Sequence, residues 1–288
     1  MQRKLSARRA CWLLGISRRW RRYRSRKGAP DLCARLLVLA RRHPRYGYRR
    51  LHQMLLRDLS RRGISEKVNV KRVRRLCVEL NLKLPTKKKR KRRGIGVGSP
   101  VLAEHPNHVW AYDFVFDWCE NGRQLKMLTV VDEFTRECLV VAVEHRMGAQ
   151  GVCAVLTRLM ATRGVPAFVR SDNGPEFIAR ALMKMLAGRG IQCRHIEPGS
   201  PWQNGKTERF NGTLRDECTE METFYHRDHA RALCELFRRH YNTERPHSSL
   251  GYQTPEEFSR RHGLSAAGSV DIIRTSHRLQ PTGHDALE

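Results

Sequence analysis

The run LPTKKKRKRRGIGVGSP at residues 84–100 sets the first limit on what this chain can fold into. Seven consecutive basic residues, flanked by Pro and Gly and lacking a periodic apolar face, cannot bury enough surface to order themselves. They divide the 288 residues into a front and a back, and the charge follows the division. Residues 1–100 hold 33 Lys and Arg against Asp31, Asp58, Glu66 and Glu79, a net of +29, whereas residues 101–288 hold 23 basic and 24 acidic residues. Neutralising phosphates releases counterions, so the front predicts strong, salt-sensitive, sequence-blind affinity for nucleic acid. An anionic membrane would instead ask for a basic amphipathic helix with exposed Trp and Phe.

With 40% hydrophobic residues the chain can bury a real core. No apolar run approaches a membrane span, the longest leads being pieces such as LLVLA at residues 36–40. The basic N-terminus lacks an apolar segment and a small-residue cleavage site, so no signal peptide is expected. Nine cysteines stand singly with no CxxC pair, which fits small core hydrophobes in a reduced cytoplasm.

The front reads as short helices. ARRACWLLGI precedes the basic run SRRWRRYRSRKG. Asp31 is the expected N-cap of a helix whose Leu32, Leu36, Leu39 and Ala40 share a face, ended by Pro44 and Gly47. Leu51, Leu55 and Leu59 repeat until Gly63. Asn69 then caps a helix with Val70, Val73, Cys77 and Leu80 on one side and Lys71, Arg72, Arg74 and Arg75 on the other. This pattern predicts a helix-turn-helix-like module over residues 1–83 with those four cations on DNA; the alternative is a small bundle with merely solvated arginines. Residues 84–103 are the expected linker, 104–262 the expected core, and the polar stretch 263–288 an unordered tail.

From residue 107 the texture changes. NHVWAYDFVFDW, RQLKMLTVVDEF and TRECLVVAVEH read as three antiparallel strands with only Glu133-Phe134 to turn the second into the third. AQGVCAVLTRLMATRG is a helix ending on glycine, VPAFVRSDNG a short strand, PEFIARALMKMLAGRG a helix entered at proline, IQCRHIEPG a strand, and SPWQNGKTERFNGTLRDE a turn and a helix. The order predicts a mixed α/β sheet covered by helices on both faces.

Three carboxylates stand out. Asp113 shares a strand side with Val109, Ala111 and Val115, where a charge is costly unless paired or bound to metal. Asp172 closes a strand, where α/β sheets present groups to a crevice. Glu208 follows the Asn204-Gly205 turn on the first turns of its helix. If the first and fourth strands lie side by side, both aspartates face one opening and Glu208 reaches it from the helix. Oxygen donors of this kind suit Mg²⁺, which is held by a few carboxylates plus substrate phosphates. On chemistry alone Asp117, Asp132 and Glu176 compete for the same roles.

WAYDF, RSDNGPEF, SPWQNGKTERFNGTLRDE and YNTERPHSSLGYQTPEEF, in this order, resemble the DDE core of retroviral integrases and bacterial insertion-sequence transposases. More narrowly, the chain resembles the catalytic OrfB half of the IS three family, and RRHPRYGYRRLHQML with VNVKRVRRLCVELNL resembles the helix-turn-helix segment upstream of that core. The resemblance spans roughly residues 7–260, with 35 residues between Asp172 and Glu208. It implies a ribonuclease-H-like fold and metal-dependent cleavage and strand transfer at the ends of an element. Asp113, Asp172 and Glu208 would be the catalytic ligands of two Mg²⁺ ions, with Mn²⁺ as a substitute. Arg215 would touch terminal DNA near the scissile phosphate, and Asn204, Lys206 and Asn211 would line the groove. Partners would be element ends and target DNA, further copies of the chain, and an upstream-frame protein (OrfA) or a fusion with it. The place would be the bacterial cytoplasm, at the nucleoid. The zinc-site spacing of retroviral integrases is missing, so zinc is not implied. Two other readings stay open: a DNA-binding assembly partner without catalysis, and a ribonuclease-H-like nuclease without strand transfer.

Overall fold

The computed structural model describes residues 6–17, 30–85, 102–195 and 205–263. The chain forms two compact units, Met1–Thr86 and Lys87–Glu288. Most of the linker, the expected tail and Asn204 lie outside the described residues.

The first unit contains α1 (Ala7–Leu13), α2 (Pro30–Arg42), α3 (Tyr48–Arg61) and α4 (Val70–Glu79). The leucine spacing does what it predicts: Leu32, Leu36, Leu51, Leu55 and Leu59 are buried together with Val73 and Cys77. Each such burial is worth about 2 kcal/mol. Asn69 caps α4, its side chain accepting from the Lys71 N–H at 2.8 Å. Asp31 does not cap α2. Pro30 holds the first helical position and Asp31 lies in the first turn, where it accepts from Arg35 Nε at 2.9 Å. Arg35 continues to Asp58 of α3 at 3.0 Å, tying the two helices. Lys71, Arg74 and Arg75 stand exposed on α4, whereas Arg72 is turned to Glu66 at 2.9 Å.

The second unit is built on β1 (Val109–Trp118), β2 (Gln124–Asp132), β3 (Cys138–Glu144), β4 (Phe168–Ser171) and β5 (Gln192–His195), in spatial order β3-β2-β1-β4-β5. β1, β2 and β3 form an antiparallel meander, and β4 and β5 add in parallel beside β1. The pleat of β1 sorts its side chains. Trp110 and Tyr112 join the core beneath α5 (Ala149–Arg163) and α6 (Arg180–Ala187), with Phe114 packed against it. Val115 points the other way, into the core beneath α7 (Gly205–Leu214) and α8 (Arg227–Thr243). α9 (Pro255–Arg261) follows, opened by a Thr254–Glu257 capping box.

Two boundaries differ from the sequence reading: β3 begins at Cys138 rather than Thr135, so the β2–β3 connection is residues 133–137 instead of Glu133-Phe134, and the entry to α6 moves as well. The helix after β4 begins at Arg180, not at Pro175. Residues 174–178 form a turn closed by the Phe177 and Ile178 N–H groups on the Gly174 carbonyl. That turn drops Phe177 into the core against Tyr112 and Phe114, at ring distances of 4.8 and 4.9 Å. The aromatic burial outweighs the helix-entry preference of proline.

Candidate active site

Asp113 sits in the middle of β1 opposite Thr129 of β2, on the α7 side of the sheet. Its Oδ1 accepts from the Phe114 N–H at 2.7 Å and its Oδ2 from Asn211 Nδ2 at 2.8 Å. The Thr129 hydroxyl lies between the Asp113 carbonyl and Asn211 Oδ1, at 3.1 and 2.9 Å. β4 pairs with β1 only over residues 109–111, so β4 stops and Asp172 emerges just where Asp113 is reached. Asp172 is exposed, and its Oδ1 accepts from the Gly174 N–H at 3.0 Å.

The two aspartates feel each other. Burial, above all, pushes the Asp113 carboxyl up to about 6, and the charge of Asp172 raises it as well. The Phe114 N–H, the Asn211 amide and the Arg215 guanidinium act in the opposite direction. α7 buries Thr207, Phe210 and Leu214. Glu208 and Asn211 are three apart on α7, and Arg215, four further on, opens the π-helical turn Arg215–Thr219 that continues it, so the three share the flank on which Asn211 meets Asp113. Glu208 itself is exposed, one turn before Asn211.

The donor set fits a hard divalent cation in kind: two carboxylates that repel each other, with a third on the adjoining helix flank. Among the described residues no three side chains of ligand type stand within metal-holding distance of one another. The structure therefore brings Asp113 and Asp172 together and leaves Glu208 exposed one turn before Asn211, not closed onto them.

The rival carboxylates sort cleanly. Asp132 is buried, and accepts from three backbone N–H groups, of Asn107, Phe134 and Thr135, at 2.6 to 2.9 Å, which makes it a turn former. Glu176 is held by Lys126. Asp117 accepts from the Trp118 N–H at 2.8 Å at the far end of β1.

Two expected groove residues are placed otherwise. Asn211 is 3% exposed, and both ends of its amide are spent on Thr129 and Asp113, so it positions the carboxylate rather than lining a groove. Lys206 spends its charge on Glu133 at 2.8 Å. Glu133 was read in the sequence only as part of a turn. Its side chain is 1% exposed and also binds Arg170 of β4 at 2.5 Å, joining the strand that ends at Asp172 to the first turn of α7. An apolar strand end running into two adjacent acids, VVDEF, was the available signal.

The chain matches the Integrase core domain at residues 103–201 and 189–255, and the HTH-like domain at residues 34–90. It is 41% identical over 266 residues to the insertion element IS407 uncharacterized 31.7 kDa protein of Burkholderia multivorans, covering 91% of this chain and 93% of that one. It is 30% identical over 243 residues to the transposase InsD for insertion element IS2A/D/F/H/I/K of Escherichia coli, covering 80% and 79%. The chain belongs to the IS three family of insertion-sequence transposases. Within that family it corresponds to the catalytic, DDE half. Its fold is like that of a chain in the simian T-cell lymphotropic virus intasome in complex with the PP2A regulatory subunit B56 gamma, with a TM-score of 0.51, 18% identity and 73% of each chain covered. The sheet and its flanking helices are those of a ribonuclease-H-like transposase core, preceded by helix-turn-helix-like helices. Among the described residues no helix is long and apolar enough to cross a membrane.

Proposed function

We propose that this transposase carries out Mg²⁺-dependent cleavage and strand transfer at the ends of its insertion sequence, with Asp113, Asp172 and Glu208 as the catalytic carboxylates. The observation that carries the reading is the meeting of Asp113 and Asp172 across the β1–β4 pair, beside the flank formed by Glu208 and Asn211 of α7 and by Arg215 of the π-helical turn that continues it. Divalent metal bound there supplies Lewis-acid activation of the attacking oxygen and stabilisation of the leaving one. Asp113 is fixed for this task by two donors, and Asn211 and Arg215 favour its ionised form. Arg215 lies two turns beyond Glu208 on the same flank, where its guanidinium can take the phosphate next to the scissile one. The exposed Lys71, Arg74 and Arg75 of α4 hold the duplex, and Arg72 joins them by exchanging Glu66 for phosphate. Residues 1–83 would thus anchor DNA and residues 104–262 act on it. Joining two ends to a target requires at least two copies, and an upstream-frame protein would supply further end recognition.

Labelled element-end DNA with Mg²⁺ tests the reading, using the parent and Asp172→Asn. Nicked and joined products are expected from the parent alone, with DNA binding equal in both proteins. Equal product from both would refute the carboxylate assignment. Nicking without any joining would favour the nuclease reading.

A further inference from the structure

The other flank of α7 carries a second arrangement of charge. Lys206 and Arg209 are spaced three apart on α7, on the side of the buried Thr207–Phe210–Leu214 stripe away from Asn211. The Lys206–Glu133 contact lays this flank against the turn between β2 and β3. Arg136 ends that turn at φ 63°, a conformation that side-chain-bearing residues rarely adopt. Asp132 braces the turn by accepting from the Phe134 and Thr135 N–H groups and ties it to Asn107 before β1, and Phe134 packs on Phe258 of α9 at 5.5 Å. Arg136 is half-buried, and the charges that reach its guanidinium are Glu133, Tyr241, Asp132 and Arg209.

The acids among these spend their hydrogen bonds on other partners. Glu133 spends one oxygen on Arg170 and the other on Lys206. Asp132 is saturated by N–H groups, and the Tyr241 hydroxyl is held neutral by burial. Arg209, exposed beside it, repels it. Among the described residues neither guanidinium makes an ion pair or a side-chain hydrogen bond. A turn carrying Arg136 at positive φ thus lies against the α7 flank that carries Arg209, and neither guanidinium is paired with a protein anion. Such a pair is built for an oxyanion that accepts two forks at once.

We propose that Arg136 and Arg209 form a second phosphate site, which grips the DNA backbone on the flank of α7 opposite the carboxylates. DNA crossing the site would then be held on both sides of one helix, by Arg215 on the reacting flank and by this pair on the other. The proposal rests on DNA as the partner but not on the metal or on the triad.

Phenylglyoxal modification of the full chain, read by mass spectrometry with and without a mixed-sequence duplex, tests it. DNA should slow modification of Arg136 and Arg209 several-fold, and high salt should abolish the protection. Arg158, exposed on the opposite face of the sheet, should be unaffected. Arg136→Gly removes the side chain while relieving the positive φ, so the fold is kept. It should strip the protection from Arg209. With Arg209→Ala it should lower the salt slope of duplex binding by about 1 in total, one shared phosphate, rather than by about 2. If DNA protects Arg74 and Arg75 but leaves Arg136 and Arg209 fully reactive, the site is refuted and DNA binding by the front stands. Protection by raised protein concentration without DNA would assign the pair to a carboxylate of a second copy, overturning the proposal. If no arginine is protected, the DNA reading falls and takes this site with it.

Discussion

Asp113→Asn should stabilise the metal-free protein while abolishing its chemistry. The folded state raises the Asp113 carboxyl from an ordinary 3.8 to about 6, chiefly by burial. Folding therefore binds a proton more tightly than the unfolded chain does. Above about pH 6 the ionised group costs stability, and the cost fades as pH falls through 6 toward the unfolded value. A rise from 3.8 to about 6 corresponds to about 3 kcal/mol; solvent screening at a half-buried site reduces this to roughly 1–2 kcal/mol. The amide can be accommodated because the network inverts. Asn211 turns its oxygen to the new Nδ2 and its amide to Thr129, whose hydroxyl still reaches the residue 113 carbonyl. Melting in EDTA at about pH 8 should then rise by roughly 3–6 °C for a core of this size, and the gain should vanish near pH 4. A gain independent of pH, or no gain at pH 8, would show that the carboxylate charge is not what the fold pays for.

Three further outcomes follow from particular contacts. Glu133→Gln leaves Arg170 facing a neutral amide and releases Lys206, so it should cost about 3 kcal/mol in denaturant unfolding and loosen α7; an unchanged midpoint would dismiss the ion-pair role. Gly174→Ala places a Cβ 3.1 Å from Asp172 Oδ1 and 3.3 Å from Phe177, which displaces the carboxylate. Strand transfer should fall at least about tenfold, a barrier rise of about 1.4 kcal/mol, with little change in melting; full activity would show that the loop gives way elsewhere. Asn69→Ala removes the α4 cap and should cost the front unit about 1 kcal/mol, measurable by hydrogen exchange confined to α4.

Much of this fold was legible because its signals are local. Leu51, Leu55 and Leu59 repeat at helical spacing, and the alternation through WAYDFVFDW sets which side Asp113 takes. The adjacency of β1 and β4 followed from topology. What escaped the sequence were choices settled by partners distant along the chain. Phe177 abandons a helix for two rings on β1, and Asn211 turns inward because Asp113 and Thr129 offer it both halves of an amide bond. Glu133 looked like a turn residue because neither Arg170 nor Lys206 is visible from position 133.

The brevity of β4 has a consequence for how this family can vary. Four residues, Phe168–Ser171, carry the chain from the start of the β1 pairing to the level of Asp113. Side chains alternate across a strand, so one inserted residue would turn Asp172 to the opposite face of the sheet. Two would restore the face but carry the carboxylate about 7 Å past its partner. β4 therefore behaves as a gauge with a single working length. Changes in the size of the transposase must fall outside it, and a relative that gained or lost a residue there would have to rebuild the carboxylate pair.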